Sequence, residues 1–133
     1  MWEYCGVVKN KELLLIGLQK IRAIKNKIKN LDIRIDEYSC KDLIFALDLE
    51  SAVISSEATI LSALTRKESR GAHQRNDFPK LNSAEDFNVS IELNKENNAL
   101  TVSKLPLKEL RKELSDLVLN NNQEASMKNK LLE

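Results

Sequence analysis

A helical pattern that runs without a break from Asp42 to Arg70 constrains the fold of this chain more than any other feature. No proline or glycine interrupts these positions, and apolar residues recur every three or four positions, the period of one α-helical face. At about 1.5 Å per residue, a helix of this length is roughly 43 Å long. We therefore expect residues 42–70 to form the long central helix of the fold. The face that we expect to be buried carries Leu43, Leu47, Ile54, Ala58, Leu61 and Leu64.

Two shorter helical patterns flank this segment. Asn10 is a suitable N-cap for a helix over residues 10–31, and a third apolar stripe follows Pro106 and predicts a helix over residues 107–120. The chain has only 3 glycines and 2 prolines among 133 residues, which favours long elements over many turns. The predicted fold class is therefore all-α, a bundle of about three helices that resembles a spectrin repeat, with a polar tail over 121–133 that frays.

One short region has the period of a β-strand. The runs FNVSIEL and ALTVSKL alternate polar and apolar residues and are joined by NKENN, which predicts a small β-hairpin over residues 87–105. An isolated hairpin is barely stable in water. This hairpin must therefore lie against the helices or against another domain.

The opening residues, MWEYCG, are unusual for the start of a domain. Trp2 and Tyr4 have large apolar side chains that favour burial, and Gly6 is typical of the left-handed residue that ends a helix. We interpret residues 1–6 as the end of a helix that begins upstream. The alternative is an N-terminal segment held by Trp2 alone. In either case residues 1–133 form a single domain.

Charge and composition exclude several classes of function. The net charge is +1, so no overall field attracts nucleic acid or an anionic membrane. Unbroken apolar runs such as Leu13 to Ile16 are far shorter than the ~20 residues of a membrane span. Two cysteines that form no CxxC pair and one histidine do not make a metal site without help from elsewhere. We expect a cytoplasmic protein with reduced thiols, without direct membrane insertion and without bound nucleic acid.

Charge is unevenly distributed along the chain. Residues 9–35 carry eight Lys and Arg against two acidic residues, whereas residues 36–65 carry six acidic residues against one lysine. A basic helix over 10–31 suggests RNA or an acidic protein as a partner, but no aromatic residues or glycine loop accompany it. We interpret its charge as mainly compensated within the chain.

The segment TRKESRGAHQRNDFPK, residues 65–80, holds five cations, the only histidine, one glycine and one proline. As a helix end it is understandable, because Arg66, Lys67 and Arg70 would oppose the negative end of the helix dipole and Gly71 would provide a left-handed exit. Glu68 can pair with one guanidinium, and we expect Arg70 and Arg75 to point outward on either side of His73. Such a cluster could dock on carboxylates, phosphates or peptide carbonyls of another surface.

Catalysis by this cluster is the weaker interpretation. A histidine between arginines could act as an acid or a base. However, the sequence has no recognisable nucleophile, second base or cofactor fingerprint, and its three glycines are too far apart for a dinucleotide-binding turn.

The stretch RKESRGAHQRNDFP, residues 66–79, resembles the signature near the C-terminus of the flavoprotein subunits of succinate dehydrogenase and fumarate reductase, and of the related L-aspartate oxidases. MWEYCGVVKN is similar to the start of that family's C-terminal helical domain, and residues 42–73 fit its long helix. The sequence departs from the family after the proline, where KLNSAEDF and Phe87 replace acidic residues and often a tryptophan. The matching residues are Glu68, Ser69, Arg70, Gly71, Ala72, His73, Arg75, Asp77, Phe78 and Pro79.

The resemblance implies that this chain is one domain of a larger flavoprotein. In the family, an N-terminal domain binds FAD and a capping domain helps to handle the dicarboxylate, so we expect no catalytic, cofactor-binding or metal-binding residue here and no activity from this chain alone. The parent enzyme would transfer a hydride between a C4 dicarboxylate and FAD, and electrons to an iron–sulfur subunit. The residues expected at the interdomain contact are Trp2, Arg66, Glu68, Ser69, Arg70, Gly71, His73, Arg75, Asp77 and Pro79.

Two other interpretations stay open. Within the family, L-aspartate oxidase is the runner-up, and the hairpin after the motif slightly favours the succinate dehydrogenase or fumarate reductase type. In a different class, a free-standing helical module would bind RNA or an acidic protein through helix 10–31. The family resemblance also implies a location in the cytoplasm or at the inner face of the membrane through a partner subunit.

Overall fold

The computed structural model describes residues 1–33, 40–108, 111–112 and 114–118. Residues 112 and 114–118 are helical and belong to a third helical segment. A 3-10 turn at Ser83–Glu85 precedes the last two strands. The main elements in chain order are β1 (Val8–Lys9), α1 (Lys11–Ile28), α2 (Lys41–Thr65), β2 (Gln74–Arg75), β3 (Phe87–Asn94) and β4 (Ala99–Pro106).

Helix α1 begins where the sequence predicts it. The side chain of Asn10 accepts a hydrogen bond of 2.8 Å from the backbone N–H of Leu13, which is the N-cap arrangement expected for asparagine. The helix ends at Ile28, three residues before the predicted end at Leu31.

Helix α2 is the longest element, as predicted, but it ends at Thr65 rather than at Arg70. Arg66 already has extended backbone angles, φ −86° and ψ 116°. Gly71 has a positive φ of 56°, yet it lies in a two-residue turn rather than at the helix exit. The prediction that residues 66–70 form the last helical turn is therefore wrong.

The core lies between α1 and α2. These helices run antiparallel: Gly17 of α1 faces Ile60 of α2, and Arg22, further along α1, pairs with Glu57, which comes earlier in α2. The predicted buried face of α2 is largely wrong: Leu47 is 59% exposed, and Leu61 and Leu64 are only partly buried at the edge of the core. Helix α2 is apolar on more than one side, and packing against α1 selects the buried side. The buried core cluster consists of Leu14, Leu18, Ile60 and Ala63.

Residues 1–5 form one hydrogen-bonded turn, in which the backbone N–H groups of Tyr4 and Cys5 donate to the Met1 carbonyl. This turn packs on α1 at Gly17, where an added Cβ would lie only 2.7 Å from Cβ of Tyr4. Gly6 does not have a positive φ, so the predicted left-handed stop is wrong. That a helix precedes this turn stays a prediction.

The predicted hairpin is present. Strands β3 and β4 pair antiparallel from Phe87↔Pro106 to Asn94↔Ala99, and Asn98 adopts φ 53° in the connecting loop. The tip is anchored to the helices because Nζ of Lys25 donates to the Asn98 carbonyl at 2.6 Å.

A second sheet was not predicted. Strands β1 and β2 pair in parallel, Val8 with Gln74 and Lys9 with Arg75, so the all-α description is incomplete. Residues 34–39, the whole tail predicted to fray over 121–133, and parts of the helix predicted over 107–120 lie outside the described residues.

Candidate functional site

Residues 66–79, called the charged motif below, fold around the carboxylate of Glu68, which is fully buried. It accepts hydrogen bonds from Nε of Arg70 at 2.7 Å, from Nη1 of Arg66 at 2.6 Å and from the backbone N–H of Asn82 at 2.9 Å. These donors, above all Arg70, outweigh burial and hold the pKa of Glu68 at about 2. The carboxylate is therefore ionised throughout the physiological range.

Arg66 ties the end of α2 to the start of the hairpin. Besides Glu68, its guanidinium donates to the Glu85 carbonyl at 2.9 Å and to the Phe87 carbonyl. The guanidinium also lies 4.8 Å from the centre of the Phe87 ring, a cation–π contact. These contacts hold Arg66 in its extended backbone conformation, directly after the last helical residue, Thr65.

Arg70 begins a tight turn. It exchanges two backbone hydrogen bonds with His73, of 2.9 and 3.0 Å, and the positive φ of Gly71 matches the first central position of a type II′ turn. The Arg70 side chain is 39% exposed and pairs with Asp86 at 2.5 Å as well as with Glu68. It is the most exposed arginine of the charged motif.

Arg75 is only 2% exposed, so the prediction that it points outward is wrong. Its Nε and Nη2 donate to the two oxygens of Asp77, both at 2.7 Å, in a bidentate ion pair. Its Nη1 donates to the Ala63 carbonyl at 2.5 Å and, more weakly, to the Arg66 carbonyl at 3.3 Å. Arg75 therefore satisfies the C-terminal carbonyls of α2, where positive charge is favoured.

Asp77 lies at the N-terminal end of α1, where negative charge is favoured. Its Oδ2 accepts a 2.9 Å hydrogen bond from the backbone N–H of Lys11, the first residue of α1. The hydrogen bonds from Arg75 are the main reason that the pKa of Asp77 falls to about 2, and the Lys11 N–H adds to the effect. The Arg75–Asp77 pair thus joins the negative end of α2 to the positive end of α1.

Ser69 organises the backbone of the charged motif. Its hydroxyl accepts from the Arg75 N–H at 2.8 Å and lies 2.9 Å from the Phe78 carbonyl, to which it can donate. Pro79 is exposed.

His73 is half-buried, and its Nε2 lies 3.4 Å from the Arg66 carbonyl, longer than a normal hydrogen bond. Burial lowers the pKa of His73, and the positive charges of Lys9, Arg75 and Arg66 lower it further. The imidazole is therefore neutral at pH 7.

The structure brings together all the sequence-predicted residues of the charged motif, but Trp2 stands apart on the N-terminal turn and is 83% exposed. Sequence reasoning missed Asp86, Asn82 and Lys11 as partners of the motif. They are 16, 14 and 66 residues from the groups they bind, and no periodicity connects positions so far apart.

The three glycines lie in three separate structural settings, and they do not form one glycine-rich turn. Gly17 accommodates Tyr4, Gly71 forms the turn, and Gly6 lies against the Trp2 carbonyl, where an added Cβ would be 2.7 Å away.

Within the described ranges, no group of three or more His, Cys, Asp or Glu side chains could hold a metal ion. Of the helices in the same ranges, none is long and apolar enough to cross a membrane.

Comparison with known protein families gives one match over most of the chain. The model of the family described as "Fumarate reductase flavoprotein C-term" matches residues 1–118. This range includes the charged motif, both helices and the hairpin.

Curated relatives show the same likeness. One component of the fumarate reductase (CoM/CoB) of Methanothermobacter marburgensis is 33% identical over 95 residues, 71% of this chain and 17% of that protein. A succinate dehydrogenase flavoprotein subunit of Rickettsia bellii is 36% identical over 88 residues, 64% of this chain and 14% of that protein. An L-aspartate oxidase of Acinetobacter baylyi is 36% identical over 83 residues, 61% of this chain and 14% of that protein. The chain spans less than a fifth of the length of these relatives.

Among solved structures, the fold is similar to part of FrdA from E. coli quinol fumarate reductase, with a TM-score of 0.73 and 24% identity. The match covers 83% of this chain and 19% of that one. At this identity the likeness concerns the fold.

Proposed function

This chain belongs to the family of fumarate reductase flavoprotein C-terminal domains, and from that premise we propose that it is the C-terminal domain of a flavoprotein subunit of the succinate dehydrogenase or fumarate reductase type. The parent protein would oxidise succinate or reduce fumarate through FAD held by its other domains. FAD would accept or donate the hydride there. The residues of this chain would hold those domains in place and would not touch the reacting atoms.

The observation that carries the proposal is the family match over residues 1–118, which includes a charged motif that ties together both helices and the hairpin. The relatives are more than five times longer than the matched segments. Their remaining length is where the proposal places the FAD-binding and capping domains.

The proposed contact with those domains involves exposed residues of the predicted set, together with Val7 and Val8, which sequence reasoning did not name. The exposed fractions of Trp2, Val7 and Val8 are 83%, 63% and 60%. Trp2 and Val7 precede strand β1, and Val8 is its first residue. These three residues, here called the docking surface, have apolar side chains that the described chain leaves uncovered. Arg70 and His73, partly exposed on the adjoining turn, would contribute polar contacts. The third helical segment would complete a three-helix, spectrin-repeat-like bundle.

The test uses the parent polypeptide and its coding sequence. The reading frame that contains this chain should also encode a glycine-rich FAD-binding segment in the same polypeptide. The purified protein should contain FAD and reduce an artificial acceptor with succinate, or oxidise a reduced dye with fumarate. An active flavoprotein whose turnover and flavin content are unaffected when residues 1–133 are removed would refute the proposal.

L-aspartate oxidase is a second candidate, supported by the relative from A. baylyi. Such a parent would release electrons to oxygen or fumarate without an iron–sulfur subunit. Oxygen consumption with L-aspartate, and none with succinate, would favour it.

In the succinate dehydrogenase or fumarate reductase type, the parent would lie in the cytoplasm or at the inner membrane face and would co-purify with an iron–sulfur subunit.

A free-standing module that binds RNA or an acidic protein through α1 has less support. Arg22 and Lys25 of that helix both bind the buried Glu57, at 2.9 and 2.8 Å. Part of the basic charge is thereby neutralised within the chain. A salt-dependent mobility shift with RNA would revive this alternative.

A further inference from the structure

We infer that the groove between β1, α2 and β3 receives one carboxylate side chain, an aspartate or glutamate, from the flavin-binding part of the parent protein. This inference rests on the proposed function and specifies the chemistry of one point of the interdomain contact. The groove is lined by Lys9, Thr59, Ser62, Ala63, Arg66, His73 and Val89.

The first observation concerns charge: the described residues that line the groove include Lys9, Arg66 and His73 and no acidic residue. Arg66 is neutralised by Glu68 on the inner side of the motif. Lys9 has no acidic partner in the described chain, and its Nζ binds only the Val7 carbonyl at 3.2 Å. The groove therefore presents one uncompensated positive charge.

The second observation is that neutral donors of the groove are also unused. The Ser62 hydroxyl makes no hydrogen bond within the described part of the chain, whereas the neighbouring Thr59 hydroxyl donates to the Ser55 carbonyl at 2.8 Å. Among the residues that the structure describes, the only hydrogen-bond partner near the His73 ring is the Arg66 carbonyl, at the long distance of 3.4 Å. Hydroxyl, imidazole and ammonium groups suit the two oxygens of a carboxylate.

The charge also decides between kinds of anion. One free lysine matches a singly charged group, whereas a phosphate near charge −2 would leave negative charge uncompensated in a half-buried site. The groove adjoins β1, the strand that carries the exposed Val8. A partner that covers the docking surface would therefore bring its own side chains to the groove.

The depressed pKa of His73 agrees with this picture, because the positive potential of Lys9, Arg75 and Arg66 contributes to it. A carboxylate bound in the groove would oppose that potential.

Zero-length cross-linking of the parent flavoprotein tests the inference. A carbodiimide joins a lysine to a carboxylate only when the two are in direct contact, with loss of water. Mass spectrometry should find Lys9 joined to an aspartate or glutamate outside residues 1–133. Lys67, an exposed cation outside the groove, is the control and should give no such product.

A pair of charge reversals gives a second readout. Lys9→Glu should speed hydrogen exchange of β1 in the parent protein by about tenfold, the effect of losing one favourable charge pair at an interface. Lys67→Glu should leave the exchange unchanged. Lys9 takes part in the fold through its backbone, so the isolated Lys9→Glu chain should unfold at an unchanged urea midpoint.

The two possible failures are distinguishable. If Trp2 and Val8 are protected in the parent but Lys9 forms no cross-link and its reversal has no effect, the carboxylate inference is wrong and the proposed function stands. If Trp2 and Val8 are as exposed in the parent as in this chain, both the interdomain contact and the carboxylate are overturned.

Discussion

At the scale of single residues, the charged motif contains ionisable side chains that are buried in the folded chain. Glu68 and Arg75 are 0% and 2% exposed, although such side chains are rarely buried unless they are paired. Each has a charged partner and several hydrogen bonds, and every buried side-chain nitrogen and oxygen in the described chain has a partner. The Arg75–Asp77 pair therefore holds the C-terminal end of α2 close to the N-terminal end of α1.

Replacing Arg75 tests this role. Arg75→Ala leaves Asp77 without its bidentate partner and the α2 carbonyls without a donor. We expect a loss of about 1–3 kcal/mol in the free energy of unfolding, typical of a buried acceptor that is left unsatisfied. Urea denaturation of the isolated chain measures it. Arg111→Ala is the matched control and should cost clearly less, because Arg111 is exposed and lies outside the charged motif. Equal losses for the two variants would contradict the prediction.

Acid should unfold the chain through the same carboxylates. The pKa values of Glu68 and Asp77 fall from their usual 4.5 and 3.8 to about 2. Both groups therefore stabilise the fold fully above about pH 4.5, and the stabilisation is lost as the pH falls toward 2. Urea midpoints across this window should drop steeply for the natural chain and less steeply for Glu68→Gln. An exposed control, Glu96→Gln, should keep the natural slope.

His73 reports the local potential. Because the positive charge of Lys9 helps to lower its pKa, Lys9→Met should raise the pKa of His73 in the isolated chain. A proton NMR titration of the imidazole measures it directly, and Lys67→Met serves as the control. An unchanged titration would show that Lys9 does not act on the groove.

At the scale of elements, the contacts between helices depend on small residues and on side chains shared by several elements. Gly17 lets the N-terminal turn approach α1, and Lys25 binds both Glu57 of α2 and Asn98 of the hairpin. Burial alone would raise the pKa of Glu57, but the hydrogen bonds from Lys25 and Arg22 lower it. Three elements are thus joined through the ammonium group of Lys25.

Gly17→Ala tests the approach of the turn. Alanine favours a helix by up to about 1 kcal/mol relative to glycine, but here its methyl group would meet Cβ of Tyr4 at 2.7 Å. We expect the turn to be displaced, with faster hydrogen exchange at the Tyr4 and Cys5 amides, which bind the Met1 carbonyl. Tyr4→Gly in the same background removes the clash, so the two substitutions should be non-additive in stability. A slower exchange in Gly17→Ala would contradict the expectation.

At the scale of the whole molecule, the described chain has apolar surface that its own residues do not cover. Trp2, Val7 and Val8 lie exposed around the N-terminal turn and β1, and the chain corresponds to less than a fifth of its relatives. Exposed apolar patches of this kind mark interaction sites.

The docking surface should be covered in the parent flavoprotein. Oxidative footprinting should show Trp2 modified several-fold more slowly there than in the isolated chain, because the indole is 83% exposed here. Val8→Asp should restore its reactivity in the parent by burying an unpaired charge at the contact. Ile44, exposed on the first turn of α2, provides the control Ile44→Asp, which should leave Trp2 protected.

The sequence by itself determined the helices, the Asn10 cap, the hairpin and the family. Each of these depends on neighbours within a few positions or on a contiguous motif, so local spacing is sufficient. Only the tertiary structure decided which face of α2 is buried, that the helix stops at Thr65, and that Arg75 turns inward. The reason is that these outcomes depend on partners such as α1, Phe87 and Lys11, which lie far along the chain and come together only when it folds.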